Sequence, residues 1–130
     1  MARLRDAADM VYATVLTGLE AYLGATAASY GTGVLELTYD SALGQADDFC
    51  NNPFVVDPTA SPVVDMPTPS EVKLGVFMWT QKLLALRDKG VGGLTGIKTG
   101  DLQVNYSVTL IESDPELYAQ FVGWRLIPGL

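Results

Sequence analysis

Histidine is absent from this chain of 130 residues, and cysteine occurs once, as Cys50. Those two facts remove most side-chain catalysis. Without an imidazole, neither a Ser-His-Asp nor a Cys-His hydrolase can be assembled in its usual form, and no histidine can ligate a metal. A single cysteine forms no internal disulfide. Cys50 has no basic neighbour in sequence to lower its pKa, so it reads as a small core residue. Asp47 and Asp48 are adjacent. On a helix they point about 100° apart and cannot flank one reacting bond; their expected place is the solvent face. Asp40 falls near a possible helix start, where capping is the simpler account. The stretch GLTGIKTG approaches the GxxxxGK[ST] phosphate loop, but Ile97 stands between Gly96 and Lys98 and the stretch follows a helix instead of a strand. Nothing in this set calls for an enzyme, a metal or a cofactor.

Charge narrows the partners. Lys and Arg total 8 against 15 Asp and Glu, a net charge of -7. A nucleic-acid binder needs a basic face, and the balance runs the other way. An acidic chain still suits basic protein surfaces. The lone thiol fits a reducing compartment. The first residues, MARLRDAADMVYATVLTGLE, carry Asp6 and Asp9 where a secretory signal needs an apolar run. No stretch of about eighteen apolar residues is present, so no membrane span is expected. The Asn105-Tyr106-Ser107 acceptor pattern is then a chance match.

The elements that must position these residues come next. From about Arg5 to Leu23, Ala8, Val11, Val15, Leu19 and Tyr22 recur at helical spacing, and Gly24 is the stop. ATAASYGTG reads as a loop. From about Val34 to Asn51, Leu35, Tyr39, Leu43, Ala46 and Cys50 keep helical spacing, although Leu35, Leu37 and Tyr39 also alternate like a strand; helix is the better reading. Asn51-Asn52-Pro53 ends it. Residues 53–69 hold five of the seven prolines. They form a connector, better read as a surface crossover than as a polyproline recognition segment, because no PxxP with basic flanks is present.

Thr68 to Lys89 is the best helix. Thr68 and Glu71 have capping-box spacing, Pro69 suits the first helical position, and Gly90 supplies the stop. Val72, Val76, Trp79, Leu83 and Leu86 form one stripe. Leu74, Phe77, Met78 and Leu84 lie off it, so the helix is buried on more than one side, either by a partner subunit or within one well-filled core. Residues Gly90 to Ile111 bring five glycines in GVGGLTGIKTGD. Leu102, Val104, Tyr106, Val108 and Leu110 then alternate with polar residues, the pattern of a half-buried strand. A lone strand is unstable. It pairs either with the stretch around Leu94 to Lys98 or outside the chain. From Ser113 a short helix follows, with Ser113 and Glu116 at capping-box spacing and Leu117, Phe121 and Val122 able to pack. Gly123 opens an apolar tail, Trp124 to Leu130, which either folds back on the core or docks on a partner.

The order helix, ALGQADDFCNNPF ending, proline-rich connector, long apolar helix and GLTGIKTGDLQVNYSV resembles the head-tail connector (adaptor) proteins of tailed bacteriophages. In that family a helix with an A-x-x-[YF]-C/T-like ending precedes a variable connector. A second long helix then leads into an extended segment reading roughly G-[IV]-x-[ST]-x-x-x-G-D-x-x-V-x-Y. Gly96 to Tyr106 follow that reading with a shorter spacer between Thr99 and Gly100. The resemblance covers about residues 34 to 112. It implies one mainly α domain over residues 1–130: a small helical bundle, a long extended loop or β-strand at about 90–111 between the last two helices, and an extended C-terminal tail at about 123–130. It implies a structural virion protein, not an enzyme, that needs no cofactor. Such proteins form a ring, typically a dodecamer, under the portal at the capsid vertex. The ring receives the stopper or tail-completion protein, and DNA passes through its lumen without sequence-specific contact. The expected location is the virion neck, after assembly in the host cytoplasm.

On that reading the subunit interface uses Ile97, Leu102, Val104 and Tyr106 of the extended segment and Phe77 and Met78 of the long helix. The portal contact uses Trp124, Arg125, Leu126 and Ile127. Two other classes stay open. One is a different neck component, a stopper or tail-terminator, which would be richer in strand. The other is a cytosolic helical protein-binding module that is a compact monomer.

Overall fold

The computed structural model describes residues 3–89, 111 and 114–126. Its α-helices are α1 (Arg3–Asp6), α2 (Tyr12–Leu23), α3 (Thr32–Cys50), α4 (Ser70–Lys89) and α5 (Pro115–Phe121), with 3-10 turns at Ala8–Met10, Gly24–Ser29 and Val122–Trp124. Among the described residues the only β-pairing is an isolated antiparallel bridge between Val55 and Asp65. The protein is a small, mainly α bundle, as the periodicity predicts. Of the expected extended loop and strand at about 90–111, only Ile111 is among the described residues, and it is helical and buried instead of extended; the end of the tail also lies outside them.

Side-chain contacts fix the helix directions. Gly18 of α2 faces the Phe77 ring of α4, and the Tyr22 hydroxyl donates to Gln81 at 3.4 Å, so α2 and α4 run the same way. The Trp79 indole N–H donates to Gln45 of α3, and Phe49 stacks on Phe121 near Gly75. Lys82 meets Asp114 and Gly75 meets Phe121, so α5 runs back along α4. The result is an up-down-up-down bundle with α4 at its centre.

The first segment is not one helix. Ala7 and Val11 adopt extended backbone angles, which split it into α1, a 3-10 turn and α2. The helix restarts at Tyr12, and the buried face becomes Tyr12, Val15, Leu19 and Leu23; Val11 and Tyr22 are left partly exposed. The break lets the N-terminal arm bury Leu4, Ala7 and Met10 separately. The Tyr39 hydroxyl then reaches across to donate to the Met10 carbonyl. Gly24 ends α2 with φ 67, a left-handed conformation that glycine adopts without steric cost. The following residues, expected as loop, wind into a 3-10 turn.

In α3 the predicted stripe holds: Leu35, Tyr39, Leu43, Ala46 and Cys50 are all buried. Leu37 is 73 % exposed, which decides for helix over strand. Asp40 lies well inside a helix that begins at Thr32, so it caps nothing. Asp47 is buried instead of solvent-facing. The helix ends at Asn51 in the left-handed region (φ 48, ψ 46), a conformation asparagine tolerates.

In α4, Val72, Val76 and Trp79 are buried on the predicted stripe, and off-stripe Phe77 and Leu84 are buried too. The second side of α4 is covered by the chain itself. Phe77 meets Tyr22 and Tyr39 at ring distances of 6.1 and 6.5 Å. Thr68 does not close a capping box: its hydroxyl accepts from Arg3, its amide donates to Asp9, and α4 starts at Ser70. At α5 the cap is Asp114, whose carboxylate accepts from the amides of Glu116 and Leu117; Ser113 lies outside the described residues. Val122, expected to pack, is 40 % exposed. The Lys82–Asp114 pair (2.8 Å) is partly solvated and worth about 0–1 kcal/mol. Burial of Leu117 and Phe121, at roughly 1.5–3 kcal/mol each, is what holds α5.

Two helical glycines separate packing from propensity. A Cβ on Gly75 would stand 2.6 Å from the Phe121 ring, whereas one on Gly18 would meet Phe77 at an ordinary 3.6 Å. Gly75→Ala therefore destabilises by about 1–3 kcal/mol through overpacking. Gly18→Ala stabilises by roughly 0.5–1 kcal/mol through helix propensity. Urea unfolding of the two variants beside the parent protein checks both signs.

Candidate assembly surface

Most of the long-range polar bonds gather at one pole of the bundle, where α3 ends and α4 begins. The reversal between them starts with Asn51 and Asn52. Phe54 takes φ 51, a left-handed angle uncommon for a bulky residue. It is held there by a bond from its amide to the Asn52 side-chain oxygen (2.7 Å) and by burial of its ring under Trp124 and the Arg3 guanidinium. Asn52 donates its amide nitrogen to the Trp124 carbonyl at 2.7 Å. The Leu126 amide donates to the Cys50 carbonyl at 2.8 Å, and the Arg125 guanidinium lies 4.2 Å above the Phe49 ring. The start of the tail is thus stitched to the end of α3.

The N-terminal arm is stitched to the same pole. Arg3 donates to the Thr68 hydroxyl (3.0 Å) and the Met66 carbonyl (2.7 Å). The Thr68 amide and hydroxyl donate to the two oxygens of Asp9 at 2.8 and 2.7 Å. Arg5 donates its amide to Asp47 (3.3 Å) and its guanidinium to Gly44 and Asp48 (2.9 and 3.1 Å). Burial tends to raise the Asp9 pKa, but the Thr68 donors and the nearby Arg3 and Lys73 charges outweigh it, and the net shift is downward. Asp47 moves the other way: burial pushes its carboxyl up, offset only in part by the Arg5 amide and charge. Its Oδ1 has no hydrogen-bond partner among the described residues. Burial, with the Asp47 charge adding, pushes the Cys50 thiol up to about 12, so it stays protonated and unreactive near neutral pH.

The expected interface residues fall in three places. Ile97, Leu102, Val104, Tyr106 and Ile127 lie outside the described residues. Phe77 is buried against α2 and α3 and offers little to a neighbour, while Met78 is half-buried. Trp124 and Arg125 are engaged within the chain, and Leu126, 49 % exposed, is the described tail residue with free apolar surface. It stands with Tyr118 and Val122, also partly exposed, in the last described stretch of chain.

Sequence reasoning missed the Arg3–Thr68–Asp9 node, because its members are far apart in sequence and no spacing rule joins them. It also missed the connector ribbon, where Val56, Val63 and Val64 are all more than half exposed; the run Val55-Val56 and the run Val63-Val64, set apart by prolines, were the available signal. Ser70 and Lys73 have the spacing of a serine nucleophile and a lysine base and line an open depression of about 230 Å³ with Thr68, Leu74 and Phe77. No hydrogen bond joins the two side chains. Among the described residues no group of three or more Cys, Asp or Glu could hold a metal, and no helix is long and apolar enough to cross a membrane. Comparison with protein-family models, with curated proteins and with solved structures finds no match.

Two outcomes follow from this pole. Asn52→Ala strands the Phe54 amide and the Trp124 carbonyl together and costs about 1–3 kcal/mol, read by chemical denaturation. The acid behaviour of the two aspartates has opposite sign. The stability Asp9 contributes is present above the ordinary carboxylate pKa and is lost as pH falls through its lowered value. The parent protein's advantage over Asp9→Asn should therefore shrink below about pH 4. Ionised Asp47 opposes folding, so Asp47→Asn should gain on the parent as pH rises from about 4 through the raised pKa. A pH series of urea titrations measures both differences.

Proposed function

We propose that this protein is an adaptor-ring subunit of a tailed-phage neck, joining the portal vertex to the stopper or tail-completion protein. One observation supports the reading: as far as Lys89, the stretch that bears the family resemblance runs helix, proline-rich connector and long helix, in the order the resemblance implies. The A-x-x-F-C ending, Ala46 to Cys50, is the buried last turn of α3, and its three matching side chains are all in the core. A left-handed Asn51 and a proline-rich crossover follow, and then the long central helix α4. Net negative charge suits a lumen through which DNA passes without being held. On this proposal the ring is a homo-oligomer, a dodecamer by resemblance, with heterologous contacts between neighbours. It sits in the virion neck after assembly in the host cytoplasm and has no catalytic role.

The extended segment supplies the proposed contact between neighbours, through Ile97, Leu102, Val104 and Tyr106. The proposed portal contact shifts toward Leu126 and Ile127, because Trp124 and Arg125 are committed to Phe54 and Phe49. A second reading, a compact helical binding module that acts as a monomer, draws support from α4 being enclosed by its own chain.

Electron microscopy of the protein mixed with its portal separates the two readings. Rings stacked on the portal are expected; single copies that leave the portal bare would overturn the adaptor proposal. Replacing Val104 and Tyr106 with Asp should abolish the rings and leave the far-ultraviolet helical signal unchanged. Rings that survive the double change would remove the extended segment from the interface.

A further inference from the structure

The connector between α3 and α4 is a two-stranded ribbon with an exposed edge. The Val56 amide donates to the Val64 carbonyl (2.8 Å) and the Met66 amide to the Phe54 carbonyl (3.0 Å). These bonds bracket the Val55–Asp65 bridge, so Val55 and Asp65 turn their own N–H and C=O groups away from each other's strand. No described group bonds the backbone of Val63 or Asp65. Every residue from Ser61 to Asp65 is exposed. Exposed backbone groups of this kind are what an added strand requires. Pro62 and Pro67 flank the edge and limit the addition to a few residues.

The register sorts the side chains of the ribbon. Val56 and Val64 share one face, both more than half exposed, and the half-buried Met66 continues that face inward. Asp65 lies on the other face with Val55 and Val63. The ribbon's charge is all of one sign: residues 53–69 contain Asp57 and Asp65 and no Lys or Arg. Asp57 accepts from the Thr59 amide and hydroxyl at 2.9 and 2.7 Å. Neither carboxylate has an ion-pair partner among the described residues. Arg3, the cation bonded to the ribbon, spends its guanidinium on Thr68 and the Met66 carbonyl.

These features select an occupant by charge. In an added strand, the residue opposite Asp65 lies on the Asp65 face, and its two neighbours lie beside Val64 and Met66. A Lys or Arg opposite Asp65, flanked by apolar residues, satisfies the charge, the apolar face and the backbone together. The alternating stretch of this chain does not. Leu102, Val104, Tyr106 and Val108 are separated by the uncharged Gln103, Asn105 and Ser107, and Asp101 precedes them. From its own chain or from a second copy, that stretch leaves Asp65 without a counter-charge. The net charge of -7 adds long-range attraction for a basic partner. We propose that the Val63–Asp65 edge of the connector ribbon accepts, as an added strand, an extended segment of a different protein in which a Lys or Arg stands between two apolar residues. The inference goes beyond the adaptor reading and does not depend on ring formation.

Peptide titration of the full chain, followed by NMR of its backbone amides, tests it. The probes are Thr-Val-Lys-Val-Thr and Thr-Val-Glu-Val-Thr, blocked at both ends and used at low salt. The Lys peptide should shift the Val63 and Asp65 amides saturably and slow their hydrogen exchange. It should bind about tenfold tighter than the Glu peptide. Asp65→Asn should bring the two affinities within about twofold of each other, and Asp65→Lys should reverse their order. Equal binding of the two peptides to the parent protein overturns the proposal, as does a preference that survives Asp65→Lys, or shifts confined to other residues. A peptide of residues 102–108 that binds as tightly as the Lys peptide overturns the choice of partner. So does an Asp65 amide already protected from exchange in the free protein. Protection that persists on dilution assigns the edge to the chain's own segment, and protection lost on dilution assigns it to a second copy.

Discussion

The fold depends on enclosing α4. A helix with Val72, Val76, Phe77, Trp79 and Leu84 all buried cannot lie on a surface, and each of its sides needs its own cover. The chain meets this with three elements of different kinds. Helix α3 supplies the broad contact and the Gln45 oxygen that satisfies the Trp79 indole. Helix α2 presents Gly18 to the Phe77 ring, at a distance where even a methyl group would make ordinary contact. Helix α5 lies so close at Gly75 that even a methyl group would collide with Phe121. Burial of a large aromatic side chain is worth several times a partly solvated ion pair, so the apolar cover, not Lys82–Asp114, sets where α5 lies.

Enclosure of α4 leaves the chain ends to be secured, and this is done with polar bonds at one pole. The arm buries Leu4, Ala7 and Met10, the connector buries Phe54, and the tail rests Trp124 on that ring. Each is also fastened by backbone or guanidinium bonds: Arg3 to Met66, Arg5 to Gly44, Leu126 to Cys50. Asp47 marks the cost of such fastening. It accepts the Arg5 amide, yet its second oxygen is buried and unpartnered among the described residues, which keeps its ionised form unfavourable.

The sequence made the apolar part of this structure legible and the polar part not. The stripes of α3 and α4 were readable because burial repeats with the helical period, and Leu37, the residue that breaks the strand alternative, is fully consistent with that period. Gly24 and Asn51 could be read as stops from their residue types. The break at Ala7 and Val11 could not, since the arm gains its stability from Thr68, Met66 and Asp47, partners some forty to sixty-five residues away. The same blindness misassigned Thr68 as a cap. Its spacing to Glu71 is a sound local signal, but the Arg3 guanidinium, not a helix-end amide, donates to its hydroxyl, and Asp9 takes the amide that Glu71 would have bonded. The helical stripe and its charge put Asp47 on the solvent face; only the neighbouring arm, through the Arg5 amide, makes a buried carboxylate tolerable there.

The tail shows how such local commitments reshape a surface. A Trp near the end of a chain invites a docking role, because a free indole is costly to leave in water. Once Trp124 rests on Phe54 and its carbonyl is held by Asn52, that motive is spent inside the molecule. Arg125 is likewise occupied by the Phe49 ring. These two contacts fix the direction in which the chain leaves the α3 end, and Leu126 is delivered to the surface with its amide already bonded. A segment held in this way meets a partner with little further ordering cost, since the backbone up to Leu126 is already fixed. For the portal contact proposed above, affinity would therefore depend on how well Leu126, Val122 and Tyr118 match the partner's apolar contour, and not on burial of the tryptophan.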